Sequence, residues 1–101
     1  MKLPTWTKVN RDEVVYALEY PNGGHHSIKD EDEPESMFGI LCCRERICIE
    51  TWLRGLNIEN LALECKVVEI TLGELIDKPR EESYTIWIMD KGFDDREIIY
   101  F

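Results

Sequence analysis

Residues 83–89, Ser-Tyr-Thr-Ile-Trp-Ile-Met, are rich in β-formers and apolar on both faces. A strand of that kind has no side to give to water, so both of its faces must be covered. The segment therefore predicts a central strand. In a chain of 101 residues the rest of one domain must be wrapped around it, and a second core does not fit. Hydrophobic residues make up 44% of the chain, enough for one such core.

The remaining apolar stretches are short and separated by turn chemistry. Glu13 to Tyr20 predicts a strand, with Val14, Tyr16, Leu18 and Tyr20 alternating onto one face. Pro21-Asn22-Gly23-Gly24 supplies a turn, because Asn and Gly tolerate positive φ. His25-His26-Ser27-Ile28 then predicts the second arm of a hairpin. Asp30-Glu31-Asp32-Glu33-Pro34-Glu35 holds five acids in six residues, which predicts a solvated loop.

Residues 37–54 admit two readings. As a helix, they place Met37, Phe38, Leu41, Cys42, Cys48, Ile49, Trp52 and Leu53 on one stripe, with Gly55 just beyond its end. As a hairpin, 38–43 and 47–52 are strands joined at Arg44-Glu45-Arg46. The density of Ile and Cys, with Ile40, Cys43 and Ile47 off the helical stripe, favours the strands.

Farther on, Leu61, Leu63, Cys65 and Val67 alternate with polar or small residues, the pattern of a half-buried strand. Thr71-Leu72-Gly73-Glu74 has capping-box spacing and predicts a short helix through Ile76, stopped by Pro79. Lys91 to Asp95 reads as a turn. Arg96 to Phe101 reads as a last strand, antiparallel to residues 84–89. The expectation is a single compact α+β domain over 1–101. It comprises a small, mostly antiparallel sheet or partly open barrel of five to seven short strands, with one or two short helices.

The chain has 21 acidic against 12 basic side chains, a formal net charge of −9. That balance excludes a protein that holds DNA or RNA through phosphate contacts, and it argues against anionic membranes. No apolar run approaches the ~20 residues of a membrane span. The first residues lack the apolar core of a signal peptide, so a cytoplasmic location is expected. Cys42, Cys43, Cys48 and Cys65 are then expected to be mostly buried thiols rather than disulfides. With His25 and His26 they form a pool of zinc-competent ligands. Their spacing lacks the C-x2-C knuckle of structural zinc sites, so no metal and no cofactor are expected.

Catalysis finds little to work with. A nucleophile–histidine set needs His25 or His26, and these sit beside a glycine turn. Asn22-Gly23-Gly24 lacks the spacing and the Lys-Ser/Thr of a phosphate loop, and residues 30–33 do not match a calcium-binding loop. No catalytic residue is assigned and no enzymatic activity is expected.

What remains is a small acidic surface with aromatic anchors. Phage anti-restriction and anti-CRISPR proteins, and immunity proteins against nuclease toxins, are similar to this chain in size and charge. They place acids where a partner's basic surface expects phosphates. The expected function is a non-catalytic inhibitor of that anti-defence or immunity type, binding a protein partner with a basic surface. The residues expected to touch the partner are Asp30, Glu31, Asp32, Glu33 and Glu35, a second group of Asp94, Asp95 and Glu97, and the tryptophan Trp6. One alternative is a structural or regulatory subunit that oligomerises or docks through an apolar patch, with acidity serving solubility. The other is a small-ligand or metal binder whose site is assembled from scattered residues.

Overall fold

A computed structural model describes residues 4–30, 32, 38–58, 64–78, 84–90 and 95–101. Six strands and two helices follow one another: β1 (Val14–Glu19), β2 (Ser27–Lys29), β3 (Phe38–Cys43), α1 (Arg46–Ile58), β4 (Lys66–Thr71), α2 (Leu72–Asp77), β5 (Tyr84–Met89) and β6 (Glu97–Ile99). A single turn of 3-10 helix, Trp6–Lys8, precedes them. All the strands join one sheet in the order β4-β1-β3-β5-β6, with β2 also paired to β3. Every pairing is antiparallel except β3 with β5. This is the expected α+β class, as a mostly antiparallel open sheet.

The two-faced segment is β5, and it is covered on both sides. Ile86 and Ile88 point into a core shared with Val15, Ala17, Ile40, Cys42 and Ile70, closed by Leu72, Leu75 and Ile76 from α2. Trp87 and Met89 point the other way, into a core with Leu18, Leu41 and Cys43 that Ile49 and Leu56 of α1 close. One helix per face is the physical answer to a strand that is apolar all round. β6 pairs antiparallel with β5 as expected, with Ile86 opposite Ile99 and Ile88 opposite Glu97.

Four expectations need correction. Residues 37–54 are neither one helix nor a hairpin: the chain is a strand to Cys43 and a helix from Arg46. Ile49, Trp52, Leu53 and Leu56 stand at helical spacing and pack on the sheet. Ile47, which spoils the stripe, is 67% exposed. An apolar residue on the solvent face blurs the period without changing the helix. An i,i+4 ion pair, Arg46 Nε to Glu50 Oε1 at 3.0 Å, supports the exposed side. Gly55 lies inside α1 rather than beyond it.

The second correction concerns the 13–28 hairpin. Its turn is there: the amide of Tyr20 donates to the carbonyl of Gly24 at 2.8 Å, and Gly23 has φ +88°. The returning chain makes one bridge to the first arm, Glu19 with His25, and then runs along β3 as β2. β5 occupies one edge of β3, so β1 and β2 share the other, end to end.

Third, β1 does not hide the expected face alone. Val15 and Ala17 are buried on the α2 side, Leu18 is buried on the α1 side, and Val14 is 43% exposed. Fourth, the strand expected at 61–67 is β4, shifted to Lys66–Thr71; residues 59–63 lie outside the described ones. Thr71 ends β4 and caps α2 through the expected box. Its hydroxyl accepts from the Glu74 amide, and its own amide donates to the Glu74 carboxylate, both at 3.2 Å. Among the described residues no helix is long and apolar enough to cross a membrane.

Candidate functional site

The two acidic groups of the sequence meet in space. Arg96 Nη2 donates to Asp30 Oδ2 at 2.6 Å, joining positions 66 apart in the chain. The pair is largely buried, with side chains 11% and 15% exposed. The Arg96 guanidinium also lies 4.9 Å from the centroid of the Trp87 ring. A planar cation stacked on an indole and paired with a carboxylate is a rigid fastening. It pins the start of the acidic loop to the approach of β6. Asp32 follows in an Asx turn, its amide donating to Asp30 Oδ1 at 2.9 Å, and is exposed. Asp95 is exposed on the other side of the fastening.

Asp30 is thus a structural ion pair rather than a free recognition group. Glu97 is similar. Arg44 forks between two carboxylates, Glu97 Oε2 at 2.5 Å and Glu13 Oε1 at 2.8 Å. Those hydrogen bonds, Glu97's foremost, hold the Arg44 guanidinium above its usual range. Arg44 and Glu97 line a cleft of about 390 Å³ with Thr5, Lys8 and Ile98. The neighbouring Trp6 is 38% exposed, and its amide donates to the carbonyl of Tyr100 at 3.0 Å. Of the remaining expected contact residues, Glu31, Glu33, Glu35 and Asp94 lie outside the described residues.

A third acidic region was missed. Between β4 and α2 runs a groove of about 640 Å³ floored by Val68 and Ile70, with Glu74 and Asp77 of α2 on its wall. Glu19 closes one end and Lys78 reaches across to donate to the carbonyl of Gly23 at 3.3 Å. The signal was present in Glu74 and Asp77, three apart on a helix and hence on one face.

His25 and His26 follow the turn after β1, and only His25 approaches the groove's end at Glu19. His26 Nδ1 and the Tyr20 hydroxyl share a hydrogen bond of 2.8 Å. The His25 side chain is only 3% exposed, with Nε2 at 3.7 Å from Glu19 Oε2. Burial, aided by Lys78, holds His25 below the ordinary imidazole value, and burial does the same to His26. Both are therefore neutral in the fold at pH 7. Their unfolded forms bind protons near pH ~6.5. The stability they contribute is full above that value and is lost as pH falls through the lower folded values. Melting temperature is expected to fall from pH 7.5 to pH 5.5. A His25→Gln/His26→Asn variant is expected to lose part of that slope; an unchanged slope would exclude these rings as its source.

The four cysteines are free thiols. Among the described residues no three His, Cys, Asp or Glu side chains converge as a metal-holding group. The chain matches no known protein-family model, and comparison with curated proteins and with solved structures returned no similar protein.

Proposed function

We propose that this protein is a non-catalytic, cytoplasmic binding module that inhibits a partner by covering its basic, nucleic-acid-binding surface. The observation that carries the reading is how the cations are spent. Arg11, Arg44, Arg46 and Arg96 each face a carboxylate of this same chain: Asp77, Glu13 with Glu97, Glu50, and Asp30. The acid excess that remains is therefore presented outward, with Asp32, Asp95, Glu69 and Glu74 all exposed. Acids held at fixed positions stand in for phosphates better than acids on a loose tail, because less ordering is required on contact.

The test begins with capture of the partner from the native host and its identification. Duplex DNA or RNA is then expected to compete with this protein for the partner. Asp30 is the wrong residue to reverse, since a lysine there would face Arg96 and damage the fold. Asp32→Lys with Asp95→Lys avoids that. The double variant is expected to slow association roughly tenfold at low ionic strength. The difference should shrink as the screening length falls from ~10 Å at 0.1 M salt to ~3 Å at 1 M. An affinity indifferent to salt and to both reversals, with no competition by nucleic acid, would sink the proposal. Glu74→Gln, which keeps the capping-box acceptor and removes one charge from the wall, reports whether the groove faces the partner.

A second reading has its own observation. Ile47, Thr51, Arg54 and Ile58 recur at helical spacing along the outer face of α1, and Ile47 and Ile58 are 67% and 84% exposed. Their Cα atoms are ~16 Å apart along the axis. Such a stripe suits docking of α1 on a larger complex or on a second copy. Sedimentation analysis separates the readings. A stable oligomer that Ile47→Lys with Ile58→Glu dissociates favours the second, and a monomer favours the first.

A further inference from the structure

Strand geometry sends neighbouring side chains to opposite faces, and Cys42 and Cys43 follow it. The Cys42 thiol lies in the core on the α2 side and donates to the carbonyl of Trp87 at 3.5 Å. Cys43 points to the α1 side, where the first turn of α1 brings Cys48 against it. The two sulfurs stand 2.7 Å apart, joined by a thiol hydrogen bond. That separation is within about 0.7 Å of a covalent S–S bond. Cys43 is fully buried and Cys48 half-buried, so only one of the pair meets solvent.

We propose that Cys43 and Cys48 form a dithiol modification site that reacts with a low-molecular-weight disulfide of the glutathione class and closes to an intramolecular disulfide. Cys48 reacts first because it is the accessible sulfur. It gives up its proton and attacks one sulfur of the oxidised reagent. The reagent's S–S bond breaks, one glutathione leaves with its electron pair and takes up a proton, and a mixed disulfide stands on Cys48. Cys43 then loses its proton and its sulfur attacks Cys48 Sγ. The Cys43–Cys48 bond forms as the second glutathione leaves and is protonated. Two protein thiols are oxidised and one glutathione disulfide is reduced to two thiols, so atoms and electrons balance.

Burial and the neighbouring Cys48 raise the Cys43 thiol above its ordinary value, so it is inert towards reagents in solution. Contact with Cys48 removes that handicap for the second step alone, because the target sulfur is delivered at bonding distance. Neither other cysteine shares the geometry. Cys42 is on the opposite face, and Cys65 lies near Tyr20, away from Cys43 and Cys48. Closure would tie the end of β3 to the start of α1 across the short connection that carries Arg44, the residue holding Glu13 and Glu97.

The experiment uses the folded full chain incubated with oxidised glutathione, alkylated, and digested without reduction. The expected result is loss of two thiols per chain, a Cys43–Cys48 cross-link in the peptide map, no retained glutathione, and full reversal by dithiothreitol. Cys48→Ser is expected to slow loss of the Cys43 thiol at least ~100-fold. Cys43→Ser is expected to stop at a glutathione mixed disulfide on Cys48. If Cys43→Ser does not fold, Cys48→Ser and Cys65→Ser carry the test, the latter with the cross-link unchanged. A native chain in which Cys43 and Cys48 both stay free while Cys65 is glutathionylated would overturn the proposal. So would a cross-link through Cys42.

Discussion

Gly39→Ala is expected to destabilise the fold by about 3 kcal/mol, the upper end of what overpacking a core costs. Gly39 is the second residue of β3, with the indole of Trp87 laid directly on it. A Cβ at Gly39 would overlap Cδ1, Cδ2 and Cε2 of that ring. Neither side can yield. The β3 backbone is held at Gly39 by Ile28 of β2 on one edge and Thr85 of β5 on the other. Trp87 is fully buried, its Nε1 donates to the Thr85 hydroxyl, and Arg96 packs on its ring. Urea unfolding gives the loss directly. Gly55→Ala is the matched control: it lies in α1 with open space where its Cβ would go, and is expected to stabilise by about 0.5–1 kcal/mol. The Gly39→Ala and Trp87→Leu changes together should cost clearly less than their separate sum, because the smaller side chain vacates the overlap. Strict additivity would show that the ring is not what forbids the methyl.

The same contact shows what the sequence made legible. Seven residues apolar on both faces demanded a covered central strand, and Thr71 with Glu74 demanded a capped helix; both are local, so both were readable. The partner of Trp87 was not, because nothing in a lone glycine at 39 announces an indole 48 positions away. The β3–α1 boundary failed for a different reason. The break at Arg44-Glu45-Arg46 is legible as a turn, and so is the strand before it. The break does not say that a helix rather than a second strand follows, because Ile47, Cys48 and Ile49 are β-formers and Ile47 blurs the helical stripe of Ile49, Trp52, Leu53 and Leu56.

For the candidate site, charge was legible and pairing was not. Composition located the acids at 30–35 and 94–97 and left open what Arg44 and Arg96 would do with them. Arg96 turns Asp30 into a largely buried fastening that brings both groups together, and Arg44 pairs with Glu97, which stays exposed. Ion pairs between positions 66 and 53 apart are set by the strand order, which local pattern does not encode. Among the described acids of the two groups, Asp32 and Asp95 remain exposed beside the Asp30–Arg96 fastening, and it is on these that the proposed recognition surface is tested.

Removing residues 97–101 is expected to abolish the folded state. The five residues contain all of β6, whose Ile99 is buried in the α2-side core, with Phe101 packed against it. Truncating an Ile at such a site alone costs ~2–5 kcal/mol. The deletion also takes Glu97 from Arg44 and unties the N-terminal segment. Tyr100 accepts from the amides of Thr5 and Trp6 at 2.9 and 3.0 Å, and its own amide donates to the Thr5 hydroxyl at 2.8 Å. It strips the cover from one edge of β5, turning the most apolar strand into an open template for other chains. A domain of this size holds on the order of 5–15 kcal/mol in all, and these losses together reach that range. The truncated chain is expected to lose its near-ultraviolet circular dichroism and its cooperative urea transition, and to aggregate on concentration. Ile99→Ala, which leaves the ladder and the Tyr100 contacts in place, is expected to lose about 3 kcal/mol and still unfold cooperatively. A truncated protein with a sharp urea transition would show that the sheet closes at β5 and that β6 is a dispensable flap.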